Sequence, residues 1–309
     1  MAKPPQIQKQ FRADLRENVI RGIFFATAFL SVITTVGIVI VLLVDSIDFF
    51  SKVSLFEFLT TTRWSPVIKP QQFGVLPLIS GTLTFTLGTA MVAIPTGLLA
   101  AIFLSEYASD RVRGFIKPAL EVLAGIPTVV YGYFALVYIT PVLRKVFPDI
   151  NTFNVLSASI VVGIMIIPTI ASISEDAMRA VPNSLRHAGY GLGITKFQVT
   201  GTIVVPAALS GIVSSFILGI SRAIGETMAV TIAGGNLSRM VNWLNPKEAL
   251  FNPIQTMTAA MVEVGTSDVT GTSVAYKSLF AVGLTLFVMT MVLNLISQYI
   301  KLKYREKYE

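Results

Sequence analysis

The chain of 309 residues is 53% hydrophobic and only 13% charged, with a formal net charge of +7 and a mean hydropathy of +0.71. Soluble domains carry about 25% charged residues, so a soluble globular protein of this length is excluded and an all-α integral membrane protein is expected. The absence of cysteine and a single histidine, His187, exclude disulfides, thiolate metal sites and imidazole clusters, and the basic residues sit at the ends of apolar runs, which fits orientation in a membrane better than binding to nucleic acid.

Residues 1–21 form a polar, basic arm with Lys3, Lys9, Arg12, Arg16 and Arg21. The first apolar run, 22–44, carries no charge and is long enough to cross a bilayer core of about 30 Å as a helix. It reads as a retained first span and not as a signal peptide. A mixed loop follows at 45–73, with a short helix expected over 55–60. The second span, 74–104, is rich in small residues (Gly81, Gly88 and the threonines at 82, 84, 86 and 89) that let helices approach closely in lipid. Pro95 is expected to kink it.

The third span is expected over 115–139, with Glu121 near its start and Pro127 breaking its ladder. Glu121 would lie at the end of that span against basic loop residues. Tyr131, Tyr133 and Tyr138 read as an interfacial belt. The fourth span covers 153–174, with Pro168 in its second half; Pro127 and Pro168 are hinge or packing positions. The stretch 175–200 is polar. The fifth span covers 203–232, a loop at 233–276 reads as an extramembrane cap, and the sixth span covers 279–300 ahead of a basic tail with Lys301, Lys303, Arg305 and Lys307.

Six spans place both termini on one side. Basic residues are more numerous there, with Arg111, Arg113, Lys117, Arg179, Arg186 and Lys196 joining the arm and tail. The positive-inside rule then makes both termini and the 175–200 stretch cytoplasmic.

The polar stretch carries a spaced pattern: His187-Ala188-Gly189, three residues, Gly193, nine residues, Ile203, one residue, then Val205-Pro206. It resembles the cytoplasmic EAA loop of ABC-importer permeases, with His187, Gly189 and Val205 standing where Glu, Ala and Leu are usual. The small residues suit a short helix that sinks into a groove on another protein, and Gly193 permits a left-handed turn. Three further stretches, GTLTFTLGTAMVAIPTGLLAAIFLSEYA (81–108), LEVLAGIPTVVYG (120–132) and SRAIGETMAV (221–230), together with RHAGYGLGIT (186–195), look like the permeases of the phosphate importer, in the PstC form of that subunit. The likeness runs from about residue 74 onward.

That resemblance implies a type I ABC importer permease fold in the plasma membrane, with 1–73 as arm, first span and outer loop and 74–309 as the permease core. It implies ATPase coupling through His187, Ala188, Gly189, Gly193, Ile203 and Pro206. It also implies a PstA-like permease as heterodimer partner, a PstB-like ATPase dimer that binds ATP and Mg, a PstS-like phosphate-binding protein, and inorganic phosphate as cargo. No cofactor is expected in this chain itself.

Arg222 and Glu226 are ionised groups inside an apolar span, which by default mark a pathway or a pair with a function. Four residues apart, they would share a helical face. Gly211, Ser215, Gly219 and Ala223 beside them form a small-residue ladder fit for packing on another helix. The expectation is that this face lines the translocation path at a heterodimer interface, with Arg222 offering positive charge to phosphate and Glu226 holding it. The alternative is an ion pair that only orders two helices.

An enzyme is not expected. No Gly-Lys dipeptide occurs, hence no GxxxxGK[ST] phosphate loop, and energy must come from a partner. Competing readings are a sulfate or molybdate ABC permease, since fold does not select substrate, and an ion-coupled secondary transporter, which would show a longer bundle or inverted repeats.

Overall fold

A computed structural model of the chain describes residues 5–303, with side-chain surroundings for 17–299. Lys3, Arg305 and Lys307 of the basic arm and tail lie outside the described residues. Helix α1 (Pro5–Phe50) opens the fold. A short helix α2 (Leu55–Thr60) and an antiparallel hairpin, β1 (Trp64–Ser65) with β2 (Gln72–Phe73), lead into α3 (Leu76–Ile102). A π-helical turn, Phe103–Tyr107, ends α3. Next come α4 (Asp110–Ala124), α5 (Thr128–Phe134), a second π turn (Ala135–Ile139), α6 (Thr140–Val146) and α7 (Val155–Arg179).

The polar stretch folds as α8 (Asn183–Gly191) and α9 (Lys196–Val199), continued by a π turn (Thr200–Val204) and α10 (Val205–Ala207). Helices α11 (Leu209–Ile224), α12 (Met228–Gly234), α13 (Pro246–Phe251), α14 (Met257–Thr266) and α15 (Val274–Lys303) complete the chain.

Five segments are long and apolar enough to cross a membrane: Glu17–Phe50, Leu76–Tyr107, Thr128–Val146, Val155–Arg179 and Val274–Tyr299. A sixth is broken, Lys196–Ala207 joined to Leu209–Ile224 at a 72° bend. The bend sits at Ala208, two residues after Pro206. Six spans are therefore present among the described residues if the bent pair counts as one, and the third, fourth and fifth differ most from the limits expected. The third starts at Thr128 and not at 115, because Gly125 and Pro127 end α4 and leave it as a separate helix. Its charges (Asp110, Arg111, Arg113, Lys117 and Glu121) keep it out of a bilayer core. The fifth is interrupted after Ile224, so the expected run to 232 is two helices. The fourth is longer than expected, since α7 continues through Glu175 to Arg179. Helices α3 and α7 both continue through their prolines, Pro95 and Pro168.

The centre of the molecule is α3 crossing α7. Glycines set the crossing: a Cβ on Gly88 would lie 2.6 Å from Ser159 Oγ, one on Gly163 2.8 Å from Val92, and one on Gly97 2.8 Å from Ile170. Without a hydrophobic driving force between helices in lipid, such close backbone approach supplies the packing. Helix α11 lies on α7 by the same means. A Cβ on Gly211 would lie 2.4 Å from Ala177 and one on Gly219 3.0 Å from Ile170, while the Ser174 and Ser215 hydroxyls meet at 2.7 Å. The ladder of Gly211, Ser215, Gly219 and Ala223 is thus packed within this chain. The expectation that these small residues pack on another helix is met by α7 of the same chain.

The hydroxyls of α3 fasten the 233–276 segment on the hairpin side. Ser80 accepts from the Val241 N–H (3.3 Å), Thr84 from the Trp243 indole (2.8 Å) and Thr82 from the Met257 N–H (3.0 Å). This segment is a folded cap, as its composition suggested, and α14 buries Met257, Ala260 and Val264 against α15 and the Phe49–Phe58–Phe73 aromatic cluster. Helix α1 is held mainly at its end, where Lys277 of α15 pairs with Asp48.

Candidate functional site

The EAA-like segment folds as a helix, a turn and a helix. Pro182 begins α8, Gly193 turns the chain at φ +77°, and Thr195 with Gln198 forms a capping box that starts α9. Gly189 is buried, and a Cβ there would lie 2.9 Å from Ile203 and 3.0 Å from Val199. The motif's spacing therefore brings Gly189 and Ile203 into contact, which closes the hairpin of helices. His187 and Ala188 sit on the exposed side of α8, and Pro206 lies on α10 just before the bend. Beside them Tyr190 (41%), Leu192 (83%) and Phe197 (78%) are exposed apolar side chains. Together they leave an exposed apolar patch on the outer side of the hairpin.

The segment is fixed to the spans from beneath. Its apolar underside (Val199, Val204, Leu185 and Ile194) packs with Ala101 of α3 and Met178 of α7. Arg186, next to His187, reaches Glu106 of the first π turn at 2.9 Å, with side chains 12% and 5% exposed.

A second ionic cluster lies beside it, which the sequence alone did not reveal. Glu175 is fully buried near the end of α7 and contacts Arg113 at 2.7 Å and Lys117 at 2.8 Å, both on α4. The Arg113 N–H is not aligned for a hydrogen bond, so that contact is one of charge, whereas the Lys117 ammonium donates to Glu175 and, at 2.9 Å, to Asp176. The hydrogen bond to Glu175 holds the Lys117 ammonium above its ordinary pKa. Glu121, expected to meet basic loop residues, is instead exposed on α4, where it lines a shallow recess with Arg113 and Lys117. Tyr131 departs from the expected belt as well: it is buried, with its hydroxyl donating to the Leu123 carbonyl at 2.7 Å, while Tyr133 and Tyr138 are exposed.

Arg222 and Glu226 do not share a helical face. Helix α11 ends at Ile224, and Glu226 lies in the break before α12. Its carboxylate accepts from the Ala229 N–H at 3.1 Å and its carbonyl accepts from Thr258 at 2.8 Å. A carboxylate at a helix start satisfies a free N–H and opposes the dipole there, and buried Glu226, one position before the N-cap Thr227, does this for the first turn of α12. No ion pair joins it to Arg222. Arg222 is exposed, and among the described residues its guanidinium donates only to Thr169 of α7, at 3.3 Å. It lies in the last turn of α11, two residues before that half of the broken span ends at Ile224. The break at Gly225 has a counterpart at Pro127: α12 and α5, the two short helices that begin there, lie together, with Gly132 against Ala229.

Residues 93–306 match the family described as binding-protein-dependent transport system inner membrane component. The chain belongs to that family. As a binding-protein-dependent permease it is a multi-pass inner-membrane subunit that works with an ATPase and a substrate-binding protein. Among similar proteins, a probable ABC transporter permease protein, YqgH, of Bacillus subtilis is 35% identical over 94% of this chain and 93% of its own length. A phosphate transport system permease protein, PstC, of Mesorhizobium japonicum is 32% identical over 94% of this chain and 92% of its own. The solved structure of a bacterial alginate ABC transporter with its periplasmic protein aligns with a TM-score of 0.60 at 13% identity, covering 94% of this chain and 96% of that one. At that identity it speaks for the fold alone, which is that of a type I ABC importer permease.

Proposed function

We propose that this chain is the membrane-spanning subunit of an ATP-driven importer that carries inorganic phosphate into the cytoplasm. The observation that carries the reading is Arg222, a guanidinium in the last turn of the apolar helix α11, without a carboxylate partner among the described residues and held by a single hydroxyl. A charge left in that state at membrane depth is costly unless it serves cargo. Five N–H donors, of which Thr169 takes one, suit an oxyanion. The PstC relatives support phosphate as that anion.

In this reading a PstA-like permease completes the path, a PstB-like ATPase dimer binds ATP and Mg, and a PstS-like protein delivers phosphate on the hairpin side. The α8 side and both termini are cytoplasmic, and the chain itself performs no catalysis and holds no cofactor. His187, Ala188, Gly189, Gly193, Ile203 and Pro206 build the hairpin of helices that meets the ATPase, with Leu192 and Phe197 as its apolar contacts. Glu226 serves the path by capping the break that leaves Arg222 at the end of α11.

The test is Arg222→Gln in the assembled complex. Uptake falls at least about tenfold with assembly and ATP hydrolysis retained, the loss expected when a charge-assisted contact is removed; uptake equal to wild type contradicts the role given to Arg222.

A further inference from the structure

Arg186 occupies a position to which the spaced motif assigns no role. Its guanidinium binds three parts of the fold at once. Toward α3 it meets Glu106 with Nη2 at 2.9 Å and Nε at 3.4 Å. Toward the end of α7 it donates to the carbonyls of Met178 (2.8 Å) and Val181 (2.6 Å). Toward the start of α8 it reaches Asn183 at 3.3 Å. Glu106 is itself held by the Ser105 hydroxyl at 2.9 Å and sits in a π turn, whose wider ladder is locally distorted backbone. A second contact joins the same two regions: the Lys196 ammonium of α9 lies 5.0 Å from the centroid of the Tyr107 ring.

The apolar contacts beneath the segment are non-directional, and side chains there can slide over one another while staying buried. The forked guanidinium is different, because it matches a carboxylate in one orientation and fixes distance and angle together. We propose that the Arg186–Glu106 pair is the joint through which movement of the α8–α9 segment is passed to the end of α3, so that it determines how much transport each ATP hydrolysed produces. The proposal rests on the reading that this segment docks the ATPase of a phosphate importer. Arg186 and Glu106 touch neither cargo nor nucleotide; they are positioning residues.

The two halves of the joint can be separated. Glu106→Ala removes the link to α3 and leaves the bonds from Arg186 to Met178 and Val181, so α8 stays anchored on α7. In the complete complex reconstituted into vesicles, with the phosphate-binding protein present, phosphate imported per ATP hydrolysed drops about tenfold, while ATP hydrolysis stays within about twofold of wild type, since a lost coupling free energy of this class changes an output by about 5–150-fold. An unchanged ratio in an assembled Glu106→Ala complex overturns the proposal.

Because the chain contains no cysteine, a second variant can restore the joint covalently. Glu106→Cys with Arg186→Cys is uncoupled when reduced and recovers the ratio when the two thiols are bridged by a short bis-thiosulfonate reagent. Bridging that forms without recovery also overturns it. The wild-type complex in the same vesicles separates the two claims, since absence of phosphate import there counts against the phosphate reading and not against the joint.

Discussion

At the scale of single residues, Glu175 shows how charge organises the end of the bundle. It is the acidic centre of a cluster in which Arg113 and Lys117 are 25% and 24% exposed while the carboxylate is fully buried. Glu175→Gln leaves two cations facing a neutral amide. The loss is about 2 kcal/mol, below the ~3–5 kcal/mol of a fully enclosed pair because both cations keep contact with water. Thermal unfolding of the purified chain in detergent reads this as a fall in Tm, and an unchanged Tm contradicts it. The pH dependence has a definite sign. Lys117 has its pKa raised by its hydrogen bond to Glu175, so its contribution is fully present below the ordinary value of 10.5 and is lost as pH rises through the higher folded value. The Tm difference between wild type and Lys117→Met is therefore constant from about pH 6 to pH 9 and shrinks only in stronger alkali. A difference that vanishes by neutral pH contradicts the pairing.

The same cluster explains what a reading of residues in order cannot see. Lys117 and Glu175 are 58 positions apart, and each lies in a stretch whose polarity alone says only that it is near water. The EAA-like segment was legible from its resemblance to a known loop pattern, and Gly193 as a left-handed turn. That Gly189 is small to meet Ile203 of the same chain was not, because its smallness suits a groove on another protein equally well. Arg222 was legible as an unusual charge. Its lack of a carboxylate partner was not, because only Gly225 and Thr227 hint that the helix ends between Arg222 and Glu226.

At the scale of elements, the lesson concerns apolar runs that are not one helix. Helix α4 has exposed Val112, Phe115 and Val122 on one stripe, and this hydropathy merges with that of α5 when averaged along the chain. Only the charges on its other face and the Pro127 break separate the two. Close helix approach sorts the glycines by function and gives opposed predictions. Gly81→Ala drives a methyl to 2.4 Å from the Gln255 backbone oxygen, which cannot rotate away, and costs about 1–3 kcal/mol. Gly114→Ala meets nothing within 4 Å inside α4 and stabilises by about 0.5–1 kcal/mol through helix propensity. Paired melting curves check both, and a shift of the same sign in the two variants contradicts the packing described for α3.

At the scale of the whole molecule, the fold joins a closely packed centre to two ends of different build. The α3–α7–α11 crossings are fixed by glycine contacts. The hairpin side is fastened by α3 hydroxyls to a folded cap, and the α8 side presents Leu192 and Phe197 on a hairpin of helices tied to α3 and α7. Two breaks, at Pro127 and Gly225, lie between these ends beside Arg222. Such an arrangement lets a displacement at the α8 side reach the middle of the spans as movement of packed bodies. The number of spans followed from the length of the apolar runs, and the position of the α8–α9 segment from motif spacing. Where the spans break, and which chain covers the small-residue ladder of α11, required the tertiary structure.

The central claim is that this permease carries phosphate under ATP. The most direct measurement is ATP-driven uptake of labelled phosphate by the reconstituted complex, with sulfate and molybdate as competitors. The account predicts uptake that requires the ATPase and is insensitive to both other oxyanions. Uptake suppressed by sulfate or molybdate would move the substrate, and phosphate uptake that persists without any ATPase would contradict the mechanism.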